Sequence, residues 1–226
     1  MPLNPFKTKR YPFVPRSPWV QAAMRTCLFA LAVNWVMQGM RGMDTKELSF
    51  RLLAEAAVGL ALLPVLAGLG LGTVAAAIAS LVVAHSLGFT LNGQFWVCAR
   101  YCRFYRGSAE HLRAFMESVT GELRRSGFLY EAVLIGSGGE GALGPRSDLD
   151  LRLVFPSGRQ AWLRVNLLLL RLRARAFLSG VPLDAYAYDG AASLRRFDPS
   201  EPWLVVLDRR GEILRQFADR PLVALP

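Results

Sequence analysis

Two aspartates separated by one residue are the first candidates for chemistry. Asp148 and Asp150 stand in Ser147-Asp148-Leu149-Asp150-Leu151-Arg152-Leu153-Val154-Phe155, a segment whose start alternates polar and apolar residues as a strand does. A period of two puts both carboxylates on one face. Charges of like sign held that close repel unless a cation lies between them. A hard divalent ion such as Mg²⁺ takes oxygen ligands and commonly binds through carboxylates together with substrate phosphates. Upstream, the apolar run Glu131-Ala132-Val133-Leu134-Ile135 leads directly into Gly136-Ser137-Gly138-Gly139-Glu140-Gly141. Such a turn lets backbone N–H groups approach a phosphate. Arg146 and Arg152 flank the carboxylates; phosphate contact and ordinary surface charge suit them about equally.

Strand, glycine turn and Asp-x-Asp strand together resemble the signature of the polymerase-β-type nucleotidyltransferase superfamily, especially its minimal branch. Gly136 and Ser137 precede Asp148 at that family's spacing, and Gly141 matches its usual later glycine. Gly138-Gly139-Glu140 departs from the pattern, since many members carry Arg between the glycines. The resemblance covers roughly 109–208. It implies a third carboxylate on a later strand, and Asp184 in Val181-Pro182-Leu183-Asp184-Ala185-Tyr186-Ala187-Tyr188 supplies it. Asp189, at the strand end beside Gly190, is the weaker candidate. By the same resemblance Asp148, Asp150 and Asp184 would hold Mg²⁺, or Mn²⁺ in its place, and Asp184 would act as general base. Gly136, Ser137 and Ser147, with Arg146 and Arg152, would meet the NTP.

The elements that must position these residues are legible in the pattern. Glu110–Ser126 has helical periodicity, with Leu112, Phe115, Met116, Val119 and Leu123 on one side. Arg159–Ser179 reads as a second helix, with Leu163, Leu167, Leu170 and Leu178 on its apolar side. Its arginines, Arg164, Arg171, Arg173 and Arg175, suit a solvated face better than lipid headgroups or acceptor phosphates. Trp203–Leu207 reads as a strand, and Glu212–Phe217 as a short closing strand or helix. The expected class is α+β: a small mixed, palm-like sheet domain over 107–226, preceded by an α-helical membrane region over 1–106.

That membrane region rests on charge. The chain carries 27 Lys and Arg against 17 Asp and Glu, for a net charge of +10, yet 56–99 contain no charged residue at all. A spanning helix needs about 20 apolar residues, so this block accommodates two, near Leu52–Leu69 and Thr73–Val97, with a break at the glycines of 68–72. Arg41, Lys46 and Arg51 precede the block; Arg100, Arg103 and Arg106 follow it. Basic flanks at both ends favour a hairpin with both ends on the cytoplasmic side of the inner membrane. His85 and Asn92, seven apart, share a helix face and suit interhelical hydrogen bonds better than a headgroup pocket. Ser17–Met40 suits an interfacial amphipathic helix, though spanning stays open. The proline-rich basic lead lacks the apolar core of a signal peptide. Three cysteines, Cys27, Cys98 and Cys102, do not read as a disulfide framework; buried thiols are the ordinary reading.

These readings favour a membrane-anchored enzyme acting on an NTP and a lipid-linked or membrane-proximal acceptor. Nucleotidylation of a partner protein and a non-catalytic nucleotide-binding module are the alternatives. A small bundle that buries little alone favours self-association. With no separate finger or thumb segment, no specific nucleic-acid partner is expected.

Overall fold

The computed structural model describes residues 14–138 and 143–224; the basic lead and the Gly139-Glu140-Gly141 part of the glycine turn lie outside them. Chain order begins with α1 (Pro18–Met24), α2 (Cys27–Met37), α3 (Thr45–Gly68), α4 (Thr73–Leu91) and α5 (Gln94–Ala99). Then come α6 (Ala109–Arg125), β1 (Glu131–Ile135), β2 (Leu149–Val154), α7 (Arg159–Leu178), β3 (Leu183–Tyr188), β4 (Trp203–Asp208), α8 (Glu212–Gln216) and β5 (Leu222–Ala224). The five strands form one mixed sheet in the order β3-β2-β1-β4-β5. β1 runs antiparallel to both β2 and β4, whereas β2/β3 and β4/β5 are parallel pairs. Parallel neighbours need a long crossover, and α7 supplies it between β2 and β3.

The pleat sorts the strands' side chains by parity. On one face Ala132, Leu134, Leu149, Leu151, Leu153, Leu183 and Ala185 meet Leu112, Phe115, Val119 and Leu123 of α6 and Val165, Leu169, Leu172 and Ala176 of α7. The opposite face carries Val133, Ile135, Val154, Tyr186, Tyr188, Trp203 and Val205, packed with Met43, Ile213 and Phe217. Asp150, Arg152 and Asp184 have the parity of this second face. Ser108 caps α6 by accepting the His111 N–H, and Asp44 caps α3 by accepting that of Lys46; side-chain oxygens there satisfy donors that have no intrahelical partner.

α3 and α4 are both long and apolar enough to cross a membrane. Only 11% and 22% of their most apolar windows is buried within the protein. Leu52, Leu60, Val74, Ile78, Leu81 and Leu87 face outward instead, as side chains solvated by lipid do. Four differences from the sequence reading stand out. The second span ends at Leu91, not Val97, because Gly93 takes a left-handed φ of 78° and starts α5 in a new direction. In place of one helix over Ser17–Met40 there are two, α1 and α2, bent by 78°; Thr26 breaks the run and caps α2 by accepting the Phe29 N–H. The apolar side of α7 read as Leu163, Leu167 and Leu178 is exposed, while the core takes Val165, Leu168, Leu169, Leu172 and Ala176. Finally, Cys27 and Cys102 are joined as a disulfide across 75 positions, because α2 packs against α5; Cys98 is a buried thiol.

His85 does tie helices together: its Nδ1 lies 2.8 Å from Glu55 and its Nε2 2.7 Å from the Trp35 carbonyl. Asn92 does not share the task; it caps the end of α4.

The helical region is also bound to the sheet. Tyr186 and Tyr188 donate their hydroxyls to the carbonyls of Gly39 (3.1 Å) and Gly42 (2.9 Å). Glu47 of α3 accepts from Arg51 (2.7 Å), from Arg173 (2.6 Å) and from the Ala187 N–H (3.0 Å). Trp162 and Trp96 donate to the carbonyls of Lys46 and Phe177.

Candidate functional site

β1 delivers the chain to its turn at Ile135, and Gly136 follows with a left-handed φ of 70°, a conformation that costs glycine little. A Cβ there would lie 3.7 Å from an Asp150 carboxylate oxygen. The short 3-10 turn Gly136–Gly138, which includes Ser137, therefore sits directly over the start of β2. Ile135 is paired with Asp150 across the β1/β2 ladder. On the other side Asp150 is in register with Asp184 across the parallel β2/β3 pair. Three adjacent strands thus place the glycine turn, Asp150 and Asp184 side by side, with Asp148 just before β2.

The three acidic side chains are partly covered but reachable: 15%, 27% and 19% of the side-chain surface stays exposed for Asp148, Asp150 and Asp184. Two arginines balance them. Arg152, two residues beyond Asp150, reaches Asp150 at 3.5 Å and Asp184 at 3.3 Å. Its other nitrogen donates to the Leu151 and Asp184 carbonyls at 3.0 and 2.6 Å, and its guanidinium lies over Tyr186, 4.9 Å from the ring centroid. Arg100, just after α5, pairs with Asp148.

Asp150 carries the strain of this crowding. Burial, then the Asp148 and Asp184 charges, push its carboxyl well above the ordinary range against the pull of Arg152 and Arg100. Burial works the same way on Asp184, but Arg152 and a hydrogen bond from the Gln94 amide outweigh it and hold that carboxyl low. Neighbouring carboxylates of such different character form one titrating unit. The donor set suits a divalent cation. It gathers hard oxygen ligands, with more negative charge than the site keeps ionised unaided. Among the described residues, however, no group of three or more Asp, Glu, His or Cys side chains is arranged to hold a metal ion as it stands; arginines engage the three carboxylates instead.

The remaining sequence candidates divide. Ser137 lies in the turn itself. Ser147 accepts the Gly144 N–H at 3.0 Å and returns its own N–H to the Gly144 carbonyl at 3.1 Å, closing the loop that presents Asp148. Arg146 is not loose surface charge; it donates to the carbonyls of Arg100 (2.7 Å) and Cys102 (3.1 Å), so it fastens the segment after α5 beside the site. Asp189 pairs with Lys46, away from the acidic group. Two residues at the site were missed in the sequence. Gln94 donates its amide to Asp184 at 3.4 Å, and Arg100 had been read only as a basic flank. Gln94 lies near the end of the apolar block and Arg100 just after it, and only the turn at Asn92-Gly93, a polar-glycine break inside an expected helix, hinted that the helix ends early.

Compared with family models, curated proteins and solved structures, the chain gives no match in any of the three.

Proposed function

We propose that this chain is a membrane-anchored nucleotidyltransferase with a palm-like catalytic domain. It would move a nucleoside monophosphate from an NTP to a hydroxyl or phosphate acceptor held at the membrane, a lipid-linked acceptor suiting the anchor best. The supporting observation is the register of Asp150 against Asp184 on parallel neighbours, with Asp148 and the Gly136 turn beside them.

In this reading Gly136 and Ser137 receive the terminal phosphates, because backbone donors in a tight turn suit polyphosphate. Asp148, Asp150 and Asp184 would hold Mg²⁺ or Mn²⁺, which when bound neutralises charge on the α-phosphate and the departing pyrophosphate. Asp184 takes the proton of the acceptor hydroxyl. A bond forms between the acceptor oxygen and the α-phosphorus, and the bond to the bridging oxygen of pyrophosphate breaks. Arg152 and Arg100, which pair with the carboxylates in the structure, would be the cations nearest to phosphates bound there. Asp184 keeps the lower proton affinity of the two carboxyls, as a proton acceptor needs to be ionised, while the raised proton affinity of Asp150 would be offset by a bound cation.

The same arginine pairs favour a second reading, a module that binds nucleotide without turning it over, its carboxylates permanently neutralised by Arg100 and Arg152. One experiment separates the two. Membranes containing the chain are incubated with each α-labelled NTP and Mg²⁺, and the lipid and protein fractions are then separated. The enzyme reading expects pyrophosphate release and label in the lipid fraction, both lost in Asp148→Ala. Label in a co-purified protein instead would identify a protein acceptor. Bound nucleotide without pyrophosphate release would support the non-catalytic module.

A further inference from the structure

α7 is apolar on two sides. One side enters the core through Val165, Leu168, Leu169, Leu172 and Ala176. A second stripe, Leu163, Leu167, Leu170 and Leu178, follows helical spacing on a different face, and three of its four members are exposed: Leu163 by 45%, Leu167 by 50% and Leu178 by 84%. A water-facing helix needs only one apolar stripe. Leucines repeated on the outer face call for a second apolar neighbour.

The packing of α7 says what that neighbour is. Near its start, Trp162 donates to the Lys46 carbonyl at 2.7 Å and stacks edge-on against Phe50, both in the first turns of α3. Near its end, Phe177 meets Phe95 and Trp96 of α5, which directly follows α4. The start of α3 and the end of α4 are the same end of the apolar hairpin. A helix that touches both lies across the hairpin's base, hence along the bilayer surface and not through it. Tryptophan and tyrosine concentrate at the membrane–water boundary. Here Trp162 marks one end of α7, and Trp96 and Tyr105, in mutual contact, mark the other. Arg164 and Arg171 border the leucine stripe and are exposed; Arg171 is engaged by Glu122 of α6.

We infer that α7 is an interfacial helix. Its Leu163–Leu167–Leu170–Leu178 stripe inserts beneath the phospholipid headgroups on the side where both hairpin ends emerge, and Arg164 meets lipid phosphates. The occupant of this face is the bilayer surface, because the stripe adjoins the face of α7 that packs on the hairpin. The inference holds whether or not the protein turns over nucleotides.

The test uses the full chain in vesicles of phosphatidylcholine and phosphatidylglycerol. Leu167→Cys, Leu178→Cys and, for comparison, Arg125→Cys at the exposed end of α6 are each labelled with a polarity-sensitive fluorophore. The unsubstituted chain gives the background from native thiols. Quenching by doxyl-labelled lipid is expected to be severalfold stronger at 167 and 178 than at 125, with aqueous iodide showing the reverse order. Equal iodide quenching at all three positions overturns the inference. So does protection of 167 and 178 from both quenchers, since another copy of the protein would then cover the stripe.

Discussion

Asp150 and Asp184 differ although they are neighbours in register. Asp150 is crowded by two like charges, while Asp184 is served by Arg152 and Gln94. Different roles follow for the two carboxylates. Asp184→Asn keeps the shape but removes the proton acceptor. On the proposed reading it is expected to lower NTP turnover by about 10²–10⁴-fold, the usual contribution of a general base, with nucleotide affinity in the absence of divalent cation changed far less; rapid-quench turnover beside equilibrium binding without the cation checks both. Equal losses in the two measurements would deny Asp184 that role. Glu47 is a residue-scale test of a different kind. Its side chain is 1% exposed and lies between Arg51 and Arg173. Glu47→Ala strands two guanidinium groups in a buried site, and breaking such a pair costs about 3–5 kcal/mol. The expected outcome is a large drop in the thermal unfolding midpoint in detergent; a midpoint unchanged from the parent would show that the network contributes nothing to stability.

At the scale of elements, the segment joining α2 to α3 is where the membrane region closes on the sheet. Gly39 has a left-handed φ of 72°, and a Cβ there would come within 2.6 Å of the Tyr186 hydroxyl and 2.9 Å of Gln94. Gly39→Ala is therefore expected to destabilise by about 1–3 kcal/mol and to displace Gln94 from Asp184. Unfolding measurements check the first effect; a shift in the pH profile of turnover checks the second. Much of the sheet domain could be read directly from the residues. Glu131–Ile135 is bounded by a turn and a glycine and forms β1 over that very span; the strand expected from Ser147 begins only at Leu149, so period two applies to Asp150 and Asp148 precedes the strand. Long-range features were not legible in the same way. The apolar stripe of α7 was assigned to the wrong side because leucines on both faces satisfy helical spacing, and only packing against α6 and the sheet distinguishes them. The disulfide was missed because 75 positions separate its cysteines and local pattern carries no information about their approach. Gln94 and Arg100 were hidden by the assumption that α4 continues to residue 97.

At the scale of the whole molecule, the basic flanks favour the cytoplasmic side of the membrane, and the proposed use of NTP would require it. Stable disulfides belong to oxidising compartments. Cys27 and Cys102 are thus expected to be thiols in the cell and to join after purification in air. Trapping thiols with a maleimide before lysis, followed by mass spectrometry, checks this; a disulfide already present in trapped cells would place this end of the hairpin on the oxidising side. The claim on which the functional account rests is that the three aspartates take a divalent cation together with a nucleotide. Mn²⁺ titrated into the purified chain with a non-hydrolysable NTP, followed by electron paramagnetic resonance, tests it most directly. The account predicts that the chain lowers the free Mn²⁺ signal below the level that the nucleotide alone produces, and that this further loss disappears in Asp150→Ala and in Asp184→Ala. A signal no lower than with nucleotide alone, or a further loss unaffected by both substitutions, would contradict it.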